Sequence, residues 1–144
     1  MKATKVNIFF VSGLILISAL LGGCSSVEQN QTLGTKSEIV KEISPQEAES
    51  LINNNGNLTV IDVRTPQEYA TGHLARAINL DLRSQTFNDE LGKLDKKKAY
   101  LVYCQSGNRS QKASDTMKEL GFTEVYNLSG GITQWARDGL PTVK

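Results

Sequence analysis

Beyond Ser37 the chain alternates between two patterns of apolar positions. Short continuous apolar runs rich in β-branched or aromatic residues read as buried strands, and stretches with apolar residues three or four apart read as helices. Leu58–Val63 and Ala99–Tyr103 are the clearest strands; Ala75–Leu80 and Glu124–Leu128 are two more. Ser44-Pro45-Gln46-Glu47 predicts a helix start, with Ser44 as N-cap, Pro45 in the first turn and Glu47 closing a capping box. That helix runs to about Asn53 and stops before Gly56. Pro66 opens a short helix through Tyr69 that ends at Gly72, and Thr86–Leu94 forms a helical turn or two. Ser110–Leu120 carries Ala113, Met117 and Leu120 on one side and closes at Gly121; Ile132–Arg137 is the last helix, before Gly139. Alternating strands and helices with apolar, non-alternating strands predict an α/β fold. Its form is a three-layer α/β/α arrangement with a mainly parallel central sheet and helices on both faces.

The start of the chain follows a different rule. Ile8–Leu21 is a run of 14 residues broken only by Ser12, Gly13 and Ser18, and Lys2 and Lys5 precede it. The run falls short of the roughly 20 residues that span a bilayer, and it suits the core of a secretory signal. It ends in Leu21-Gly22-Gly23-Cys24, which resembles the bacterial lipobox. That resemblance implies cleavage before Cys24 and a lipid on its sulfur; the other readings are an ordinary signal peptide or an N-terminal anchor. The expected organisation is a signal peptide over 1–23, a lipidated Cys24 with a flexible tether over 24–37, and one folded domain over 38–144. The resemblance implies a lipid-anchored protein of the bacterial cell envelope, facing the periplasm or the exterior. With Ser25 and not Asp after the cysteine, it implies the outer membrane where there is one.

Charge and composition narrow the function. In the 144 residues, 16 Lys and Arg face 15 Asp and Glu. Removal of Lys2 and Lys5 with the signal leaves 14 against 15, so any hold on a membrane comes from acyl chains and not from basic residues. No basic excess marks a nucleic-acid binder. One His and two Cys cannot supply the four soft ligands of a structural zinc site. No metal or cofactor is expected.

The chemistry points to Cys104. It directly follows the strand Ala99–Tyr103, and Gln105-Ser106-Gly107-Asn108-Arg109-Ser110 then leads into a helix. A cysteine at a helix N-terminus gains from unpaired N–H groups and partial positive charge, so its thiolate is favoured. Gly107 lets the loop curl until several N–H groups converge, and Arg109 adds a cation. The small polar residues leave the pocket over the sulfur open. A lipidated Cys24 cannot pair with Cys104, which is then the lone thiol of the mature chain.

Over residues 38–144 the chain resembles the rhodanese family of sulfurtransferases. Three segments carry the likeness. The first is Ile61-Asp62-Val63-Arg64 with Glu68-Tyr69, Gly72-His73-Leu74 and Ala77-Ile78-Asn79-Leu80. The second is the loop from Cys104 to Ser110. The third is Leu128-Ser129-Gly130-Gly131-Ile132 with Trp135 and Gly139-Leu140-Pro141. The resemblance implies that Cys104 attacks a sulfane-sulfur donor such as thiosulfate and carries a persulfide held by the amides of 105–110. A thiol, or cyanide in the test tube, then takes the sulfur. It also places Arg64 near the pocket mouth as a substrate-binding residue. Many thiosulfate-preferring members have a basic residue right after the cysteine, where this chain has Gln105. Phosphatases of the same fold have five residues between Cys and Arg; here there are four between Cys104 and Arg109, which fits one sulfur atom better than a phosphoryl group. The other readings are a persulfide-binding or partner-docking module without turnover, and a phosphatase or arsenate reductase using the same cradle.

Nearby residues have structural readings. Arg64 and Glu68, four apart, form a surface ion pair. Asp62 fixes the loop through backbone hydrogen bonds, His73 bonds backbone, Trp135 covers the core, and Lys96-Lys97-Lys98 is a solvated turn.

Overall fold

The computed structural model describes residues 38–144, so the expected signal peptide, lipidated Cys24 and tether lie outside the described residues. Five strands, β1 (Val40–Ile43), β2 (Thr59–Asp62), β3 (Ala77–Asn79), β4 (Ala99–Tyr103) and β5 (Glu124–Leu128), form one sheet. Five helices, α1 (Pro45–Asn54), α2 (Pro66–Ala70), α3 (Phe87–Gly92), α4 (Asn108–Glu119) and α5 (Gly131–Arg137), connect or follow them. The sheet order is β1-β5-β4-β2-β3, and every pairing is parallel.

The unbroken apolar runs reflect a sheet covered on both faces. Val60, Leu101, Tyr103 and Leu128 pack on one side with Ala48, Ile52, Ile132 and Trp135, so α1 and α5 cover that face. Ile61, Val63, Tyr100, Val102 and Val125 pack on the other with Phe87, Leu91, Ala113 and Met117 from α3 and α4. Successive strand residues point to opposite faces, and both faces need apolar side chains.

Helix starts follow their caps. Ser44 accepts from the Glu47 N–H, and the Glu47 carboxylate accepts from the Ser44 N–H at 2.8 Å. Thr65 and Glu68 repeat the arrangement at α2, with Pro66 in the first turn. The expected helix from Ser110 begins at Asn108 instead, because Gly107, at φ 96°, turns the chain into the helix without a side-chain cap. The strand β1 was not expected: Val40-Lys41-Glu42-Ile43 is short, and its polar middle pair is exposed at the sheet edge.

The order of the strands creates a crevice. The chain leaves β2 toward β3 and leaves β4 toward β5, in opposite directions, although β2 and β4 are neighbours. Ligands on open parallel sheets bind at such a divergence, outside the carboxyl ends of the strands. Asp62 and Cys104 stand there, at the ends of β2 and β4.

Candidate active site

Cys104 leaves β4 and joins the apolar cluster under α4, with 1% of its surface exposed. This corrects the expected open pocket: the side chains of Gln105, Ser106 and Asn108 are exposed, but the main chain curls over the sulfur. The Gly107 N–H donates to Cys104 Sγ at 3.2 Å and the Ser110 hydroxyl approaches it at 3.6 Å. Burial pushes the thiol up. The Ser110 N–H and hydroxyl and the N–H groups of Ser106 and Gly107 outweigh that and bring it below the usual thiol range. Main-chain N–H groups thus face the sulfur, an arrangement that favours its thiolate.

The loop is clamped from beneath. The Ile132 N–H donates to the Cys104 carbonyl at 2.9 Å, and the Thr133 N–H to the Gln105 carbonyl at 3.1 Å. Gly130 and Gly131, at φ 67° and 57°, bring the start of α5 this close. The Gln105 side chain turns aside and donates to Thr133 Oγ1 at 2.8 Å. A cavity of about 400 Å³ opens beside it, lined by Arg64, Gly72, Gln105, Thr133 and Thr142 among others.

Both arginines of the site carry carboxylate partners. Arg109 donates through both terminal nitrogens to Glu68, at 2.6 and 2.8 Å. Those hydrogen bonds lower the Glu68 carboxyl to about 2, against the effect of burial and with help from Thr65. Arg64 is 3% exposed and donates to Asp62 and to the Gly72 carbonyl, each at 2.7 Å at the closest. The expected Arg64–Glu68 surface pair is therefore not formed. In an extended segment the two-residue step to Asp62 puts both side chains on one side, while Glu68 turns away on α2 toward Arg109. Asp62 also accepts from the Arg64 N–H at 2.9 Å, the backbone role expected of it.

The remaining assignments are structural. His73 Nδ1 lies 3.2 Å from the Tyr69 carbonyl and its ring stacks on Tyr69 at 3.8 Å. Trp135 is buried and donates to the Pro141 carbonyl, and Lys96, Lys97 and Lys98 are exposed. Sequence reasoning did not find Glu68 or Thr133 as site residues. In the sequence Glu68 stood only as part of the family likeness and as a surface partner for Arg64, and nothing local pairs it with a residue 41 positions on.

The fold and the loop define a class: a parallel α/β domain that holds a cysteine sulfur under a main-chain cradle at the head of a helix. Comparison with known proteins narrows it. Residues 44–138 match the rhodanese-like domain, and the chain belongs to that family. It is similar to the thiosulfate sulfurtransferase GlpE of Ectopseudomonas mendocina (strain ymp), 38% identical over 95 residues that cover 66% of this chain and 84% of that protein. A rhodanese-related protein from Thermoplasma volcanium superposes with a TM-score of 0.63 at 32% identity, covering 72% of this chain and 97% of that one. The 30 kDa polysulfide-sulfur transferase homodimer from Wolinella succinogenes does so with a TM-score of 0.62 at 31% identity, covering 72% and 78%. These relatives support sulfur transfer as the chemistry of the family.

Proposed function

We propose that this protein is a sulfurtransferase that takes a sulfane sulfur from a donor such as thiosulfate onto Cys104 and passes it to a nucleophilic acceptor. The observation that carries the reading is the set of donors aimed at Cys104 Sγ, the Gly107 N–H at 3.2 Å and the Ser110 hydroxyl at 3.6 Å. They favour the thiolate, which is the attacking form.

In the first step the Cys104 thiolate attacks the outer sulfur of the donor. A Cys104–sulfur bond forms, the sulfur–sulfonate bond breaks, and sulfite leaves with its electron pair. The product is a cysteine persulfide bearing one negative charge, which the amides at the head of α4 stabilise. In the second step a thiolate or cyanide attacks the terminal sulfur, and Cys104 leaves as the thiolate it was. No proton transfer is required, because sulfite and the thiolate are both stable leaving groups. The cycle needs no metal or cofactor.

The alternatives of a silent persulfide module and of a phosphatase find less support. Proteins named as sulfurtransferases match most of the folded domain, and only four residues separate Cys104 from Arg109. Thiocyanate formation from thiosulfate and cyanide tests the proposal. The wild-type protein should turn over repeatedly with ping-pong kinetics, and Cys104→Ser should lose all activity. Full activity in Cys104→Ser, or a single turnover with no release to any acceptor, overturns it.

A further inference from the structure

Among the described residues, the site gathers two arginines and each is compensated by a carboxylate. Arg109 is the single charged residue between Cys104 and Ser110, and it spends both terminal nitrogens on Glu68. Arg64, at the end of the neighbouring strand, is bound to Asp62. Gln105 is neutral and bonds to Thr133. The sulfur therefore meets N–H groups, a hydroxyl, the partial charge of a helix N-terminus and the Arg109 guanidinium, whose charge Glu68 offsets, and together these suit one added negative charge. A dianion gains little from such a cradle, because each of its two cations is already matched by a carboxylate.

From this charge balance we infer that the site favours a sulfane-sulfur donor of low charge, a monoanionic thiosulfonate or an organic persulfide, over dianionic thiosulfate. Glu68 is the positioning residue that sets the preference by holding Arg109. The inference rests on the sulfur-transfer reading and names its donor class. With a thiosulfonate the Cys104 thiolate attacks the terminal sulfur. One sulfur–sulfur bond forms, the sulfur–sulfonyl bond breaks, and a sulfinate departs with the electron pair, so no oxidant or reductant is needed.

Glu68 links two parts of the crevice. It closes the capping box of α2, after β2, and grips the second residue of α4, after β4. Glu68→Gln keeps an oxygen for the cap, since Gln also serves at that position. Its amide nitrogen, however, cannot accept from Arg109, so the two-pronged grip is lost and the guanidinium regains its charge for the pocket.

The test compares thiosulfate with benzenethiosulfonate, each with cyanide as acceptor, in wild-type protein and in Glu68→Gln. The wild type should show the higher kcat/KM with benzenethiosulfonate, and that value should change little with salt. Glu68→Gln should raise kcat/KM for thiosulfate by about three- to five-fold, the size expected of a partly exposed charge. The gain should appear in KM, be clearly smaller for the monoanionic benzenethiosulfonate and vanish at high salt. A merely structural role for Glu68 would move both donors together. A wild type that prefers thiosulfate, or a variant that shifts both donors equally, overturns the donor assignment alone. Turnover of neither donor by the wild type removes the sulfur-transfer reading and this inference with it.

Discussion

Cys104 packs in one cluster with Ile61, Val63 and Val102 and is 1% exposed, surroundings that by themselves keep a proton on sulfur. Ser110 does most to reverse this. Its N–H and its hydroxyl both favour the thiolate, and the hydroxyl is also held by the Gly107 carbonyl at 2.9 Å. Ser110→Ala removes the hydroxyl and leaves the backbone donors in place. The pH midpoint of Cys104 alkylation by iodoacetamide should therefore rise, so that at neutral pH the variant reacts more slowly than the wild type. An unchanged midpoint would mean that the hydroxyl does not act on the sulfur. The sign follows from the direction of the shift: a group whose proton is lost more easily in the folded protein regains it when a stabilising donor is taken away. These residues were legible in sequence because they are local. Cys104, Gly107 and Ser110 fall within seven positions at a strand–helix junction. The burial of the sulfur was not legible, since it depends on Ile61 and Val63 from beyond the loop and on α4 packing over the same face of the sheet.

The loop holds its shape because a second element fixes it. The start of α5 donates to the Cys104 and Gln105 carbonyls, which leaves the N–H groups of the loop free to face the sulfur. Gly131 makes the approach possible. A Cβ there would lie 2.7 Å from the Gln105 carbonyl carbon, and the backbone stands at φ 57°. Gly131→Ala should therefore cost about 1–3 kcal/mol of stability in urea unfolding. By pushing the loop off its clamp it should also slow Cys104 alkylation. A loss within about 0.5 kcal/mol, the range of an ordinary surface substitution, would show that the clamp is slack. Several elements were legible from caps and apolar runs: α1 from Ser44-Pro45, α2 from Pro66, β4 and β5 from their apolar residues. The edge strand β1 was not, because Lys41 and Glu42 face solvent and its partner β5 lies some 85 residues on. The Glu68–Arg109 contact was hidden for the same reason. It exists only once α2 and α4 are brought to the two sides of one crevice.

At the scale of the whole domain, the strand order does the placing. Because β2 and β4 lie side by side while their connections diverge, the ends of both strands open onto one crevice with helix starts on each side. The sheet beneath is covered on both faces, so the sulfur rests on a packed floor. On the proposed function, this arrangement makes Cys104 a carrier of one sulfur atom. The intact mass of the protein measures that directly, before and after incubation with a sulfane-sulfur donor and again after cyanide. The wild type should gain one sulfur atom and lose it with release of one thiocyanate, and Cys104→Ser should gain none. An unchanged wild-type mass, or the same gain in Cys104→Ser, would contradict it.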